Sequence, residues 1–438
     1  MNLCFKYPMI YWNCACLITD SGAEGANTNY DKIARAIGKI TKAGVKINLP
    51  DVNKSSYGFL PDAKHNVIWC GFKSMLNVGD EVIENTIKYR PYSSIDDYLE
   101  KVHPNKQAMI SLLKGGAFDS MGDRQQLMAY YIWKVCDKKK RLTLQNLPGL
   151  ISHGMLPQDT EEQITARRVY EFNRYLKQVC INSTKDFYNL NDRAINFLNE
   201  MDLSHMIEPD LTMSVKVWDK YYQKWMDVFR AWINSDKEHL LDELNYEIFK
   251  ADWNKYAEGT LSDWEMEVLC FYYHEHALAK LDQDKYGYSD FFEIPREPVI
   301  IDSWTTRNGH EIKKYQLYRI AGTCIAKDKL HSSISLLTTT GVVDVKFSRE
   351  HFALYDKQIS QRGADGVKHK IEGSWFARGE KLVIQGIRRD DTFLPKKYKD
   401  SSMEHRLYHI DKIENNGKDL VLRSNRAQGE YYEDDSIR

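Results

Sequence analysis

Gly71-Phe72-Lys73-Ser74-Met75-Leu76-Asn77-Val78-Gly79-Asp80-Glu81-Val82-Ile83-Glu84-Asn85-Thr86-Ile87 reads as two short apolar-faced segments joined at Asn77-Val78-Gly79. Glycine permits a tight turn there, and the backbone N–H groups at the start of the following helix are left free for an anion. This is the sequence form of a helix-hairpin-helix. A second unit of the same type follows Pro104. Lys106 to Leu113 gives one helix, Lys114-Gly115-Gly116-Ala117-Phe118-Asp119-Ser120-Met121-Gly122 the connector, and Asp123 to Val135 the next helix. Two glycine-hinged helix pairs in tandem suit a grip on a phosphate backbone, which positions a strand without reading its sequence. The candidate contacts are Lys73, Asn77, Val78, Gly79 and Asp80 in the first hairpin, and Gly115, Gly116, Gly122 and Arg124 in the second.

Upstream, Asn29 to Ala43 has apolar or small residues at Ile33, Ala34, Ile37, Ile40 and Thr41, the spacing of one helix face, with Gly44 placed to end it. Leu49-Pro50-Asp51-Val52-Asn53-Lys54-Ser55 is turn-rich, and Tyr57-Gly58-Phe59 leads into a short extended piece ending near Val67 to Cys70. The apolar run from Pro8 to Ile18 has only Lys6 before it and Asn13 within it, which suits a buried helix better than a signal peptide.

Downstream, Asp137 to about Gly287 reads as helical and acidic, opening on Lys138-Lys139-Lys140-Arg141. Trp218, Tyr222, Trp225, Phe229 and Trp232 share one helix face, which predicts a buried aromatic stripe. After Tyr288 the hydrophobic period changes from 3.6 to 2. Strands are expected at Tyr315 to Ala326, Ser333 to Thr338, Gly341 to Phe347, Lys381 to Arg388 and Arg406 to Ile413, with a helix over Arg349 to Ser360 between the third and fourth. Five strands with a helix in that place are the plan of an OB-fold barrel, a module that holds single strands through a positive groove and stacking aromatics. The candidates there are Lys313, Lys314, Arg319, Lys327, Lys329, Lys346, Phe347, Trp375, Arg388 and Arg389, with Tyr318 as a further stacking platform.

The expected fold is therefore α+β and multidomain: a mostly helical N-terminal two-thirds with tandem helix-hairpin-helix units, then a C-terminal five-stranded OB-fold β-barrel. The boundaries read as 1–60, 61–136 for the hairpins, 137–290 for a helical insert, 295–415 for the barrel and 416–438 for a tail. The chain's 438 residues suit about three domains at ~150 residues each. A hydrophobic content of 42%, with only 24 Gly and 11 Pro, excludes disordered and collagen-like chains. The formal net charge of -1 conceals an asymmetry: residues 313–406 hold 19 Lys and Arg against 11 Asp and Glu, so the C-terminal part is where a polyanion would bind. The eight cysteines lie at 4, 14, 16, 70, 136, 180, 270 and 324 with no Cys-x-x-Cys pair, which predicts reduced thiols and no metal site. No apolar run reaches the ~18 to 20 residues a membrane span needs, and a cytoplasmic protein is expected.

The order of these blocks resembles a known family. Tyr7-Pro8 with an apolar helix, Lys32-Ile33-Ala34, Gly44-Val45, Leu49 to Ser55, Asn77-Val78-Gly79, and Lys114 to Asp119 with Arg124 are similar to the end of the fingers and the helix-hairpin-helix region of the bacterial DNA polymerase III alpha subunit, the C-family replicative polymerase. Leu261, Trp264-Glu265, Glu267, Leu269, Phe271-Tyr272-Tyr273 and His276-Ala277-Leu278 resemble the segment that precedes that family's OB domain, with Ala277 where the family has proline.

The resemblance implies a DNA-directed DNA polymerase, a nucleotidyltransferase, of which this chain is the C-terminal portion beginning inside the fingers. The family's palm carries aspartates in a Pro-Asp-x-Asp-x-Asp arrangement that holds Mg2+ for phosphoryl transfer. The chain has none. Asp282-Gln283-Asp284 comes nearest and reads as a surface turn, and the family's N-terminal histidine clusters are also missing. The chain alone is therefore expected to be inactive and to hold no cofactor, with Mg2+ in a separate palm. Its implied partners are primer-template DNA, a single-stranded template and a palm-bearing half, but no membrane. A sliding clamp is a further implied partner, although Gln145-Asn146-Leu147 and the neighbourhood of Phe187 match the family's clamp peptide poorly. The reading from a different class is a non-catalytic DNA-binding accessory protein; an RNA-binding OB protein comes third.

Overall fold

The computed structural model describes residues 8–22, 28–362, 368–399, 403, 405–427 and 430–432. Tyr7 and the end of the tail, 433–438, lie outside them. The chain divides into two compact units, Met1–Ala129 with Gly259–Arg438, and Tyr130–Glu258.

In the larger unit, α1 (Met9–Ser21) buries Ile10, Cys14 and Leu17. Helix α2 (Tyr30–Lys42) starts at Asn29, whose side chain accepts from Lys32 N–H at 3.1 Å, and ends before Gly44 at φ 83°. The turn over Leu49–Ser55 is locked from within. Asp51 accepts from Asn53 N–H at 2.8 Å, and the Asn53 amide exchanges two bonds with the Tyr92 main chain at 2.8 and 2.9 Å.

The first hairpin opens on a single 3-10 turn, Phe72–Ser74, where a helix was expected, and continues into α3 (Asp80–Lys88). Helix α4 (Ile95–Val102), absent from the sequence reading, is capped by Ser94 and precedes α5 (Lys106–Lys114) and α6 (Arg124–Val135). At Gly115 a Cβ would come within 2.3 Å of Met75 Cε, so a side chain there would push the methionine tip aside. Gly116, at φ 79°, leaves the space into which Arg124 reaches.

Arg124 is 4% exposed and is the centre of the unit. Its guanidinium donates to both Asp119 carboxylate oxygens, to the Lys114 carbonyl at 3.1 Å and to Glu265 Oε1 at 3.0 Å. Glu265 lies in α7 (Leu261–Leu269), is fully buried, and also accepts from the Tyr273 and His274 N–H groups at 2.9 and 3.0 Å. Lys114 pairs with Glu267 on the same helix, and Leu76 N–H donates to the Val268 carbonyl at 3.0 Å. Both hairpins are thereby fixed to α7.

The barrel closes in the order β1-β2-β3-β5-β4-β1, with β1 (Tyr318–Asp328), β2 (Ser333–Leu337), β3 (Val342–Lys346), β4 (Lys381–Arg389) and β5 (Thr392–Pro395). β3 and β5 run parallel, Val345 opposite Phe393, and every other pair in the ring is antiparallel. This ring, with α8 (Arg349–Asp356) between β3 and β4, is the OB-fold arrangement. The expected fifth strand is corrected. Leu407–Glu414 pairs on β4 outside the ring, and the short Thr392–Pro395 closes it, because Gly386 lets the β5 backbone come so near that a Cβ would lie 2.1 Å from the Leu394 carbonyl oxygen. β1 begins at Tyr318. The expected strand from Tyr315 thus starts three residues early, and the residues before β1 form a separate two-stranded hairpin, Ile300–Thr305 with Glu311–Tyr315.

The smaller unit is helical, led by Glu161–Tyr175, Asp192–Glu200, Val215–Ser235 and Lys237–Tyr256. Trp218 and Phe229 are fully buried, Tyr222, Trp225 and Trp232 pack partly buried beside the same two cores, and Trp218 Nε1 donates to Asn173 at 3.1 Å. The aromatic stripe is thus core.

Removing one member of a buried charge pair leaves the other uncompensated, at a cost of about 3 to 5 kcal/mol. Arg124→Leu is expected to lower stability by up to that amount in urea titration; a loss below about 1 kcal/mol would show that the His274 ring, at 2.6 Å from Glu265 Oε1, and the two N–H groups suffice for Glu265. A pH effect follows from His276, whose Nδ1 accepts from Leu278 N–H at 3.0 Å while Nε2 faces the Leu337 carbonyl at 3.1 Å. Burial pushes its pKa down to about 4. A histidine held neutral stabilises the fold above its ordinary value of ~6.5, and that stability is lost as pH falls towards 4, by about 3 kcal/mol in all. The urea midpoint is expected to fall between pH 6.5 and 4, and His276→Leu to flatten that part of the slope.

Candidate nucleic-acid interface

In the first hairpin, Asn77 adopts φ 63°, Val78 turns inward to be 8% exposed, and Gly79 begins α3 with no side chain capping it. The amides of the first turn of α3 are thus not taken by a cap. Asp80 stands at that terminus, but its carboxylate already accepts from Lys73 Nζ at 2.7 Å and Tyr57 Oη at 2.8 Å. Those two bonds, Lys73 first, hold the Asp80 carboxyl below its usual range. Lys73, Asn77, Gly79 and Asp80 therefore meet at one exposed corner, with Val78 as the apolar anchor beneath.

The second hairpin is built differently. The N–H groups of Gly115, Gly116, Ala117, Asp119 and Met121 all donate to nearby carbonyls, and the Asp123 carboxylate accepts from Gln126 N–H at 2.9 Å at the start of α6. Gly115, Gly116 and Arg124 are buried, so the reading of these three as phosphate contacts is corrected: the glycines make room, and the guanidinium is spent on Asp119 and Glu265. Gly122 alone of that set is exposed, flanked by Asp119 and Asp123.

Three barrel candidates are corrected in the same way. Phe347 and Trp375 are 6% and 1% exposed and belong to the barrel core with Phe352, Tyr355 and Phe376, so neither offers a face to a base. Arg388 is 5% exposed, and its Nη1 donates to the carbonyls of Phe291 and Ile294 at 2.9 Å. Sequence alone could not tell Arg388 from a surface residue, because its strand is buried on both faces, while Phe347 and Trp375 lie just outside strands and turn into the barrel interior. Tyr318 is partly buried against the same core. Arg319 Nη1 donates to the Tyr286 carbonyl at 2.7 Å. Lys346 and Arg389 are exposed, Lys313 and Lys314 stand on the hairpin before the barrel, and Lys327 and Lys329 approach Asp356 at 2.5 and 3.9 Å.

The outer surface of β2 and β3, the face OB barrels commonly offer to nucleic acid, is occupied. Arg35 of α2 donates from both terminal nitrogens to the Asp344 carboxylate, at 3.0 Å through Nη1, and to Ser335 Oγ at 2.9 Å. Beside it Ala34, Met266 and Ile325 form an apolar cluster with Tyr272, Leu337 and Val342. Tyr272 Oη shares a hydrogen bond with Thr323 at 2.8 Å. Sequence reasoning missed this docking because Arg35 and Asp344 lie 309 positions apart.

The helix-hairpin-helix motif model matches residues 44–127. Over 450 aligned residues the chain is 37% identical to a probable DNA polymerase, YorL, of Bacillus subtilis strain 168 and to a DNA-directed DNA polymerase of Bacillus phage SPbeta, an alignment that takes in 98% of this chain and 34% of each of those proteins. Over 133 residues it is 36% identical to the DNA polymerase III subunit alpha of Saccharopolyspora erythraea, covering 29% of this chain and 10% of that one. The chain thus spans about a third of the length of the first two relatives.

Substitutions separate the structural cations from the exposed ones. Arg388→Ala is expected to lower the thermal midpoint by several degrees, since a buried guanidinium vacates four carbonyls, at a cost of about 1 to 3 kcal/mol or more. Lys346→Glu is expected to leave the midpoint within a degree or so. A reversed outcome in differential scanning calorimetry would reject this sorting.

Proposed function

We infer that this relative of the DNA polymerase III alpha subunits is the DNA-gripping C-terminal portion of such a polymerase, which works with a palm-bearing part. The observation that carries the reading is the alignment of 98% of this chain with one continuous third of a protein named a DNA polymerase, with a helix-hairpin-helix motif inside it.

The first hairpin would bear on the backbone of the primer-template. A phosphate at the start of α3 would be met by main-chain N–H groups and by the positive end of the helix dipole. Lys73 would turn to it from Asp80, exchanging one anion for another. Contacts of this kind read no sequence, which is what an enzyme that copies every sequence requires. With the β2–β3 face filled by Arg35, a template strand would follow the exposed cations of the barrel instead, Lys346, Arg389, Lys327 and Lys329 among them.

In-line attack on a nucleotide needs metal ions held on clustered carboxylates. The residues nearest that spacing do not fit. Asp282 is spent on capping, accepting from Lys285 N–H at 3.0 Å at the start of the one-turn helix Gln283–Tyr286. The palm aspartates and their Mg2+ belong to the other part in this reading, and the isolated chain is inactive. A sliding clamp remains a proposed partner of the assembled enzyme. Leu147, buried at 1%, ties Gln145-Asn146-Leu147 into the core of the helical unit, so that stretch is not offered as the clamp peptide.

Fluorescence anisotropy on a primed template and on each strand alone, over a range of salt, tests the grip. Affinity is expected to fall linearly on a log–log plot against salt, and Lys73→Glu to weaken primer-template binding. Mixing with the cognate palm-bearing part is expected to restore primer extension. Binding without restored extension would favour the accessory-protein reading, and loss of both would end the DNA assignment.

A further inference from the structure

Between the β1–β2 turn and α8 lies an open pocket of about 450 Å³. Lys327, Lys329, Arg349, Lys357 and Lys370 line it, with Asp356 the only carboxylate on its walls among the described residues. That carboxylate is committed: it is 12% exposed, takes Lys327 Nζ at 2.5 Å and Ser374 Oγ at 2.8 Å, and has Lys329 Nζ at 3.9 Å. Its place between two lysines holds them at the pocket wall. Among the described residues, neither Arg349 nor Lys370 has an ion-pair partner. Lys370 Nζ lies over Gly373, 3.2 Å from where a Cβ would stand there, so a side chain at 373 would crowd the ammonium.

Cations outnumber the one carboxylate among the described wall residues, and such a wall sets up a positive local field that favours an anion. The pocket does not belong to the β2–β3 face, which Arg35 fills. Its volume is in the range of ligand sites, and its walls offer what phosphate oxygens need: a guanidinium for bidentate bonds, ammonium groups and the Ser332 side chain. We propose that this pocket binds phosphate oxyanions, either those of a DNA strand passing the barrel or those of a free polyphosphate. The first source deepens the DNA-gripping reading and rests on it, whereas the second does not.

Arg349→Glu with Lys370→Glu, in the full chain, removes the two unpartnered cations and leaves the Lys327–Asp356 pair in place. An unchanged melting curve establishes that the variant is folded, and Lys329→Gln gives an independent, milder change. The probes are a labelled oligo-dT of about twenty nucleotides, followed by anisotropy, and inorganic tripolyphosphate, followed by calorimetry. The double variant is expected to lose on the order of tenfold in affinity at moderate salt and to show a shallower salt slope, each neutralised phosphate on a single strand contributing ~0.7. Loss for the oligonucleotide alone assigns the pocket to a strand, and loss for tripolyphosphate alone to a free polyphosphate. Wild-type affinities and slope for both probes in the double variant would overturn the pocket while leaving DNA binding by the hairpin intact. Wild-type protein that binds tripolyphosphate but no DNA would keep the pocket and defeat the DNA reading. Binding of neither probe would overturn both.

Discussion

A fully buried glutamate cannot stay charged in a protein interior without partners. Glu265 is such a group, and the larger unit is organised around satisfying it. Arg124 comes to it from the second hairpin, and the Tyr273 and His274 amides from the chain that leaves α7. Arg124 in turn brings Asp119 and the Lys114 carbonyl into register. Gly116 then has to be a glycine, because a Cβ there would stand 2.4 Å from the guanidinium. A single desolvated pair therefore sets the shape of the connector, the docking of α5 on α7 and the course of the chain towards the barrel.

The same course explains why the barrel is not a free OB module. The segment after α7 lies on β1 and β2 through Tyr272 and His276, and α2 covers β2 and β3 through Arg35. Arg35 and Asp344 keep 36% and 41% of their side-chain surface exposed, so this pair contributes modestly and chiefly fixes register. The buried cluster of Ala34, Met266 and Ile325 supplies the hydrophobic term beside it. A barrel held this way is a structural partner of the hairpin region before it is a binding surface.

The local elements were legible in the sequence because their signals are local. The glycine turn at Asn77 to Gly79, the α5 and α6 helices, the aromatic stripe at Trp218 and four of the five ring strands follow from spacing alone. The fifth strand was not legible, since Thr392–Pro395 is four residues long and owes its place to the closure permitted by Gly386. The functional residues divided on the same line. Lys346 and Asn77 are exposed as their local pattern suggests, whereas Arg124 and Arg388 are engaged by partners 94 or more positions away and Phe347 and Trp375 by the barrel's own interior. A cation on a helix start or a strand end reads alike in sequence whether it faces a phosphate or a buried carbonyl.

That ambiguity changes the meaning of the charge count. Residues 313–406 carry an excess of eight positive charges, yet several of those cations are engaged inside the fold. Arg388 serves loop carbonyls, Lys381 pairs with Asp263 at 2.8 Å, and Arg378 donates to the Ile325 carbonyl at 3.3 Å while lying over Tyr30. Counterion release depends on the cations that reach phosphates, so any electrostatic grip on a polyanion would be smaller than the composition suggests and more localised. Of that window's cations, Lys346 and Arg389 stand exposed, and Lys327, Lys329, Arg349 and Lys370 gather around one pocket beside the β1–β2 turn.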